Sequence, residues 1–189
     1  MEQWLEERGA ICLLLAGFLY GLNIPCPLGI LLMAAGGLAR EGVLNWPAVV
    51  LCAPIGIFLG EQPWFFLGRR MGLALLLRMA RFSRDPAALV QKITARFQAD
   101  GPRLLLTGRF IPGIPAVVVP LAGMTGVGWG RFFAWDFASG LLYTVAYAVC
   151  GNVLSQWFSL GEIVGGAIVF FVVMHLLHRL LTRRPKPQA

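Results

Sequence analysis

Charge is what this chain has least of. Only 13% of its 189 residues are Asp, Glu, Lys or Arg, against roughly 25% in an ordinary soluble domain. Hydrophobic residues make up 58%, and the mean hydropathy is +0.72. So few charges cannot cover a water-facing surface, which excludes a soluble enzyme or binding module and leaves an integral membrane protein. Acidic residues are the scarcer sign, nine against sixteen basic, and none occurs between Arg8 and Glu41. Histidine occurs twice, as His175 and His178 in the last apolar segment, which is too little for clustered His and carboxylate chemistry, so the chain does not read as an enzyme. The four cysteines, Cys12, Cys26, Cys52 and Cys150, form no CxxC pair and no metal-like spacing. They read as small packing residues, and neither a metal nor a cofactor is expected.

Apolar runs are what the chain has in their place. Several approach the ~20 residues needed to cross a bilayer, and they recur along the whole length, which a single N-terminal targeting peptide would not do. A net charge of +7 in such a chain marks cytoplasmic loops rather than nucleic-acid binding. Nine basic residues lie between Arg69 and Arg109, and four more from Arg179 to Lys186. Both regions, the C-terminus included, are therefore expected on the cytoplasmic side of a multi-pass protein in the inner (plasma) membrane.

The pattern divides into a single membrane domain over 1–181. Residues 1–8 are too short and charged to span and suit an interfacial turn or helix. Residues 10–39 are apolar but interrupted by Gly21-Leu-Asn23-Ile-Pro25-Cys-Pro27-Leu-Gly29, a density of breakers that favours a re-entrant hairpin over one long helix. A span over 46–68 carries Glu61, and Arg69 and Arg70 read as anchors at its exit. Residues 73–102 form a basic region in which Asp85-Pro86 caps an amphipathic helix that turns Leu89, Ile93 and Phe97 to one side. A second broken segment covers 103–128, a span over 129–151 carries Asp136, and a third span over 156–181 precedes a basic tail at 182–189. The fold class is thus all-α: two opposed re-entrant hairpins in an inverted repeat, about three spanning helices and a cytoplasmic amphipathic helix.

Two stretches within this plan draw attention. Thr107-Gly108-Arg109-Phe110-Ile111-Pro112-Gly113-Ile114-Pro115 places an arginine beside breakers inside an apolar run, where irregular backbone is tolerated only if protein buries it or it lines a polar cavity. The same breakers appear earlier: Ile24-Pro25 is followed by Ala35-Gly36, and Ile111-Pro112 by Ala122-Gly123, with a constant offset of 87. With the first span entering the cytoplasm at Arg69 and the next leaving it from Gly128, the copies face opposite ways. That arrangement is characteristic of transporters whose sites lie where the breaks meet.

At these residues the chain resembles the DedA family of membrane proteins, whose domain is also called SNARE-associated or VTT. The likeness runs roughly from Gly21 to Ser155 and rests on Gly60-Glu61, on Gly68-Arg69-Arg70-Met71-Gly72, on Gly108-Arg109-Phe110-Ile111-Pro112-Gly113, and on Leu121-Ala122-Gly123-Met124 before Phe132-Phe133. The resemblance implies transbilayer movement of phospholipids or undecaprenyl phosphate, often linked to protons. Arg109 matches the first of two arginines in the family's second hairpin; the second position is Pro115 here. An acidic residue common after Pro-x-Pro in the first hairpin is absent, since this chain reads Pro25-Cys26-Pro27-Leu28-Gly29.

The expected site follows. Arg109 offers bidentate donors for a lipid phosphate, or else pairs with a carboxylate to hold the hairpin or snorkels to the interface. Gly108, Pro112 and Gly113 shape its surroundings, with Pro25 and Pro27 from the first break. Glu61 and Asp136 are the candidate proton-coupling or ion-pairing groups, Asp136 standing in for the missing hairpin carboxylates. The expected function is flippase or scramblase transport of an anionic lipid, with proton coupling and a homo-oligomer left open. A membrane assembly or envelope-maintenance factor that transports nothing is the alternative.

Overall fold

The computed structural model describes residues 2–82, 85–111 and 114–159, with 161–162, 165–166 and 169 beyond them. The described residues contain helices and no strand. In chain order the α-helices are α1 Glu2–Gly21, α2 Leu28–Arg40, α3 Trp46–Met71, α4 Leu73–Met79, α5 Pro86–Asp100, α6 Leu104–Gly108, α7 Pro115–Met124 and α8 Trp129–Leu154, with short 3₁₀ turns at Ala80–Phe82 and Gly101–Arg103. Two of them, α3 and α8, are long and apolar enough to cross a membrane. Helix α1 starts earlier than the sequence suggests, because the charged residues 2–8 extend the apolar helix instead of standing apart from it. Most of the span expected over 156–181 and all of the tail over 182–189 lie outside the described residues. Its beginning is marked where Ser159 and Glu162 make reciprocal capping bonds, the Ser159 amide reaching the Glu162 carboxylate at 2.8 Å.

Both breaks fall where proline, glycine and asparagine cluster. Helix α1 ends in a Schellman closure: Asn23 takes φ 60°, and the Ile24 amide reaches back to the Leu19 carbonyl at 3.1 Å. Asparagine tolerates that left-handed conformation better than most side chains. Pro27 stands at the start of α2, where its missing N–H costs nothing. The chain reverses here, since Leu44, just past α2, packs on Gly9 near the start of α1. The second break runs from Arg109 to Ile114, with Pro112 and Gly113 outside the described residues, and Pro115 opens α7.

The two halves pack crosswise, α2 against α8 and α3 against α7. Small residues bring the backbones together, as they do between helices in lipid. A β-carbon on Gly36 of α2 would strike the Ala148 carbonyl of α8, and one on Gly151 would strike that of Met33. The other pair repeats the arrangement: Gly123 of α7 meets the Phe65 carbonyl of α3, and Gly68 meets that of Pro120. These four contacts form two reciprocal pairs, as an approximate two-fold relation between the α2–α3 and α7–α8 units would give. Helices α3 and α8 correspond as well, each 26 residues long and each opening on tryptophan.

Helices α4 and α5 pack against α7 of the second half. Asp85 caps α5, its Oδ1 accepting from the Ala88 amide at 3.0 Å. The buried stripe is Val90, Ile93 and Phe97, with Leu89 partly covered at its edge. The periodicity locates this face to within one residue. All four cysteines are free, and Cys12 and Cys150 are exposed.

Candidate functional site

Arg109 lies at the end of α6, where the second break begins, and turns inward between α3 and α8. It is 4% exposed, and Glu61 and Asp136 are 3% and 1% exposed. One guanidinium nitrogen, Nη2, serves both acids, reaching Glu61 Oε2 at 2.9 Å and Asp136 Oδ1 at 2.8 Å. Nε donates to Ser139 Oγ at 2.8 Å, and that hydroxyl in turn donates a hydrogen bond to the Leu105 carbonyl, also at 2.8 Å. The serine thus ties the arginine to both α8 and α6. Geometry, rather than proximity along the chain, sets the cluster, for its three charges come from three different elements.

Two polar atoms of the cluster have no partner, Arg109 Nη1 and Asp136 Oδ2. A buried donor or acceptor left unpaired costs of the order of 1–3 kcal/mol. Here one donor and one acceptor are left unpaired within a single cluster. The charge count is uneven as well: one cation faces two carboxylates, so the fully ionised trio is negative and one added proton makes it neutral.

The sequence-derived residues fall into three groups. Arg109, Glu61 and Asp136 come together. Gly108 closes α6 next to Arg109, its carbonyl accepting from the Ile111 amide at 3.1 Å, and a β-carbon there would meet Ile114 at 3.0 Å. Pro25 and Pro27 sit in the first break, which supplies neither a charged nor a hydrogen-bonding side chain to the cluster. Pro112 and Gly113 lie outside the described residues. Reading the sequence alone missed Ser139, since one serine in a long apolar helix carries no signal. It also assigned Arg69 no contact, whereas Arg69 donates to the Val127 carbonyl at 3.1 Å and lies over the Phe65 ring, holding the loop between α7 and α8 against the end of α3. Among the described residues no group of acidic, histidine or cysteine side chains could hold a metal ion.

Comparison with known proteins bears on the whole of this framework. A family model described as the VTT domain matches residues 24–153, from the first break to the end of α8 and so across both halves. The chain is similar to an uncharacterized membrane protein of Synechocystis, 24% identical over 172 residues that make up 83% of this chain and 78% of that one. It is similar to another of Haemophilus influenzae, 26% identical over 184 residues, 91% and 84% of the two chains. The inner membrane protein YqjA of Escherichia coli is 28% identical over 126 residues, 67% of this chain but 57% of YqjA. No solved structure matches the chain.

Proposed function

The chain belongs to the VTT-domain family of membrane proteins, also called DedA, and from that premise we propose that it moves an anionic lipid, undecaprenyl phosphate or a phospholipid, between the leaflets of the bacterial inner membrane. One observation carries the reading: a buried arginine at a broken helix keeps a guanidinium nitrogen without a partner. A phosphate oxygen suits that nitrogen, and the planar fork binds phosphate better than an ammonium would.

The geometry supports a coupled exchange. With both carboxylates ionised, Arg109 is held by Glu61 and Asp136 and offers phosphate little. A proton delivered to one carboxylate loosens that grip and turns the donors toward the head group, so phosphate and proton enter the site together. Helices α3 and α8 then span with opposite sense, the two broken segments are re-entrant from opposite faces, and the tail of the lipid stays in the bilayer while its head crosses. The basic α4–α5 region and the C-terminus are cytoplasmic in this arrangement.

A second reading is favoured by the two carboxylates that already neutralise Arg109 and by Pro115 where the family carries a second arginine: an assembly or envelope-maintenance factor in which Arg109 is purely structural. Liposomes carrying the purified protein and a leaflet-specific assay of fluorescent phosphatidic acid separate the two. Transport is expected from the wild type, and none from a variant in which the whole cluster is neutral, R109M/E61Q/D136N, inserted to the same extent. Undiminished transport by that variant would remove Arg109 from the mechanism. No movement of any anionic lipid by the wild type, with or without a proton gradient, would favour the assembly factor.

A further inference from the structure

The chain has three tyrosines against thirteen phenylalanines, and all three tyrosines meet at one place. Tyr20 comes from α1, and Tyr143 and Tyr147 come from successive turns of α8. The Tyr20 and Tyr143 rings stack at 5.8 Å, and those of Tyr143 and Tyr147 lie 4.5 Å apart. Phe110, next in sequence to Arg109, packs on Tyr143 at 5.7 Å. Tyr20 lies within electrostatic range of Arg109 and Glu61. On the other side, Gly29 at the start of α2 lets that helix pack directly on the cluster: a β-carbon there would stand 2.8 Å from the Tyr147 ring and 3.3 Å from the Tyr143 hydroxyl.

Packing alone does not require these hydroxyls. Elsewhere the interior uses rings without them, as where Phe65 stacks on Phe132. A phenol in an apolar interior needs a polar partner, and here the three hydroxyls supply one another, Tyr143 standing between Tyr20 and Tyr147. The hydroxyls also continue a polar line. From the ion cluster, α8 turns Asp136, Ser139, Tyr143, Thr144 and Tyr147 along adjoining faces, and the buried Thr144 Oγ1 has no partner. Eleven residues of helix carry this line about 16 Å, roughly half the hydrocarbon thickness. The five matching positions of α3, 83 residues earlier, are Ala53, Gly56, Gly60, Glu61 and Trp64, with a single charge and no hydroxyl.

We infer that Tyr143 and Tyr147, faced by Tyr20, form a second subsite for lipid phosphate, one that receives the head group as it leaves Arg109 toward the first break. The inference rests on the lipid-transport reading and deepens it. It also accounts for a first break without charges: neutral phenols hold phosphate by hydrogen bonds more loosely than a guanidinium does, which suits a station from which the head group must depart.

Phenylalanine removes each hydroxyl and keeps each ring. Two measurements on the full chain test the subsite: the melting temperature in detergent titrated with short-chain phosphatidic acid, with the matching diacylglycerol as control, and phosphatidic acid transport in liposomes. Y143F/Y147F is expected to need about tenfold more phosphatidic acid for the same stabilisation, to respond to diacylglycerol as the wild type does, and to transport at least tenfold more slowly. Y147F alone, at a partly exposed residue, guards against a folding defect and should show a smaller shift of the same kind. Wild-type transport and titration in the tyrosine variants would overturn the subsite while leaving the transport reading intact. Slowed transport with an unchanged titration would make the hydroxyls structural and overturn it too. A wild type that moves no lipid overturns both.

Discussion

Arg109 is held by more than it needs. A cation buried in an apolar interior requires a counter-charge, and one carboxylate would suffice; this one has two, together with a serine that fixes its orientation. Removing a single member should therefore be worse than removing all. Arg109→Ala leaves two carboxylates facing each other without a cation, and the expected loss is about 3–5 kcal/mol, whereas replacing the cluster as a unit is often neutral or stabilising. Thermal unfolding in detergent checks this: R109A should melt well below the wild type, and R109M/E61Q/D136N close to it. Equal melting of R109A and the wild type would mean that water reaches the cluster. Asp136→Asn probes the coupling, because it removes the proton-accepting oxygen and keeps the shape. Its transport should lose the pH dependence of the wild type, and an unchanged pH profile would take Asp136 out of the proton path. At this scale the sequence is most legible where a charge stands alone in an apolar run. Glu61, Arg109 and Asp136 announce themselves in this way, and Ser139 and the tyrosines do not, because polar uncharged residues are ordinary in membrane helices.

Between elements, the contacts that hold the halves together are made by glycine. Gly36, Gly68, Gly123 and Gly151 each lie against a carbonyl of the opposing helix, and a methyl group at any of them must push two backbones apart. Gly36→Ala and Gly123→Ala are each expected to cost about 1–3 kcal/mol, the usual range for overpacking a close-packed contact. Gly130→Ala, with open space around it on α8, should be neutral and serves as the control. Comparable melting temperatures for all three would show that the helices can separate at no cost. Gly36 and Gly123 are visible in the sequence as part of the repeat at an offset of 87. Their partners are not, for a physical reason: α7 and the loop after it are together four residues shorter than α2 and the loop at 41–45. The offset between Gly68 and Gly151 is accordingly 83, and a search at one constant offset ends before the spanning helices begin.

For the molecule as a whole, the reciprocal glycine contacts of α2 with α8 and α7 with α3 fit a two-fold relation between these helices, and the orientation of such an axis would decide the mechanism. The loop at 41–45 stands at the start of α3, and the loop at 125–128 is fastened by Arg69 to its other end. Twenty-six helical residues separate the two loops by about 39 Å, enough to reach from one side of a bilayer to the other. Gly42 and Gly126 make the same turn in the two loops, each at φ 76°. If α3 spans, the axis lies in the membrane plane, the breaks approach from opposite faces, and the charged half of the site at Arg109 opposes the neutral half at the tyrosines. Exchange of conformation between the halves would then carry access from one face to the other. Labelling tests this directly. In a variant with the four native cysteines replaced, Glu41→Cys and Gly128→Cys, introduced singly into oriented vesicles, should react with a membrane-impermeant thiol reagent from opposite sides. Reaction of both from the same side would place the axis along the membrane normal, and a head group could then not pass between the halves by their exchange.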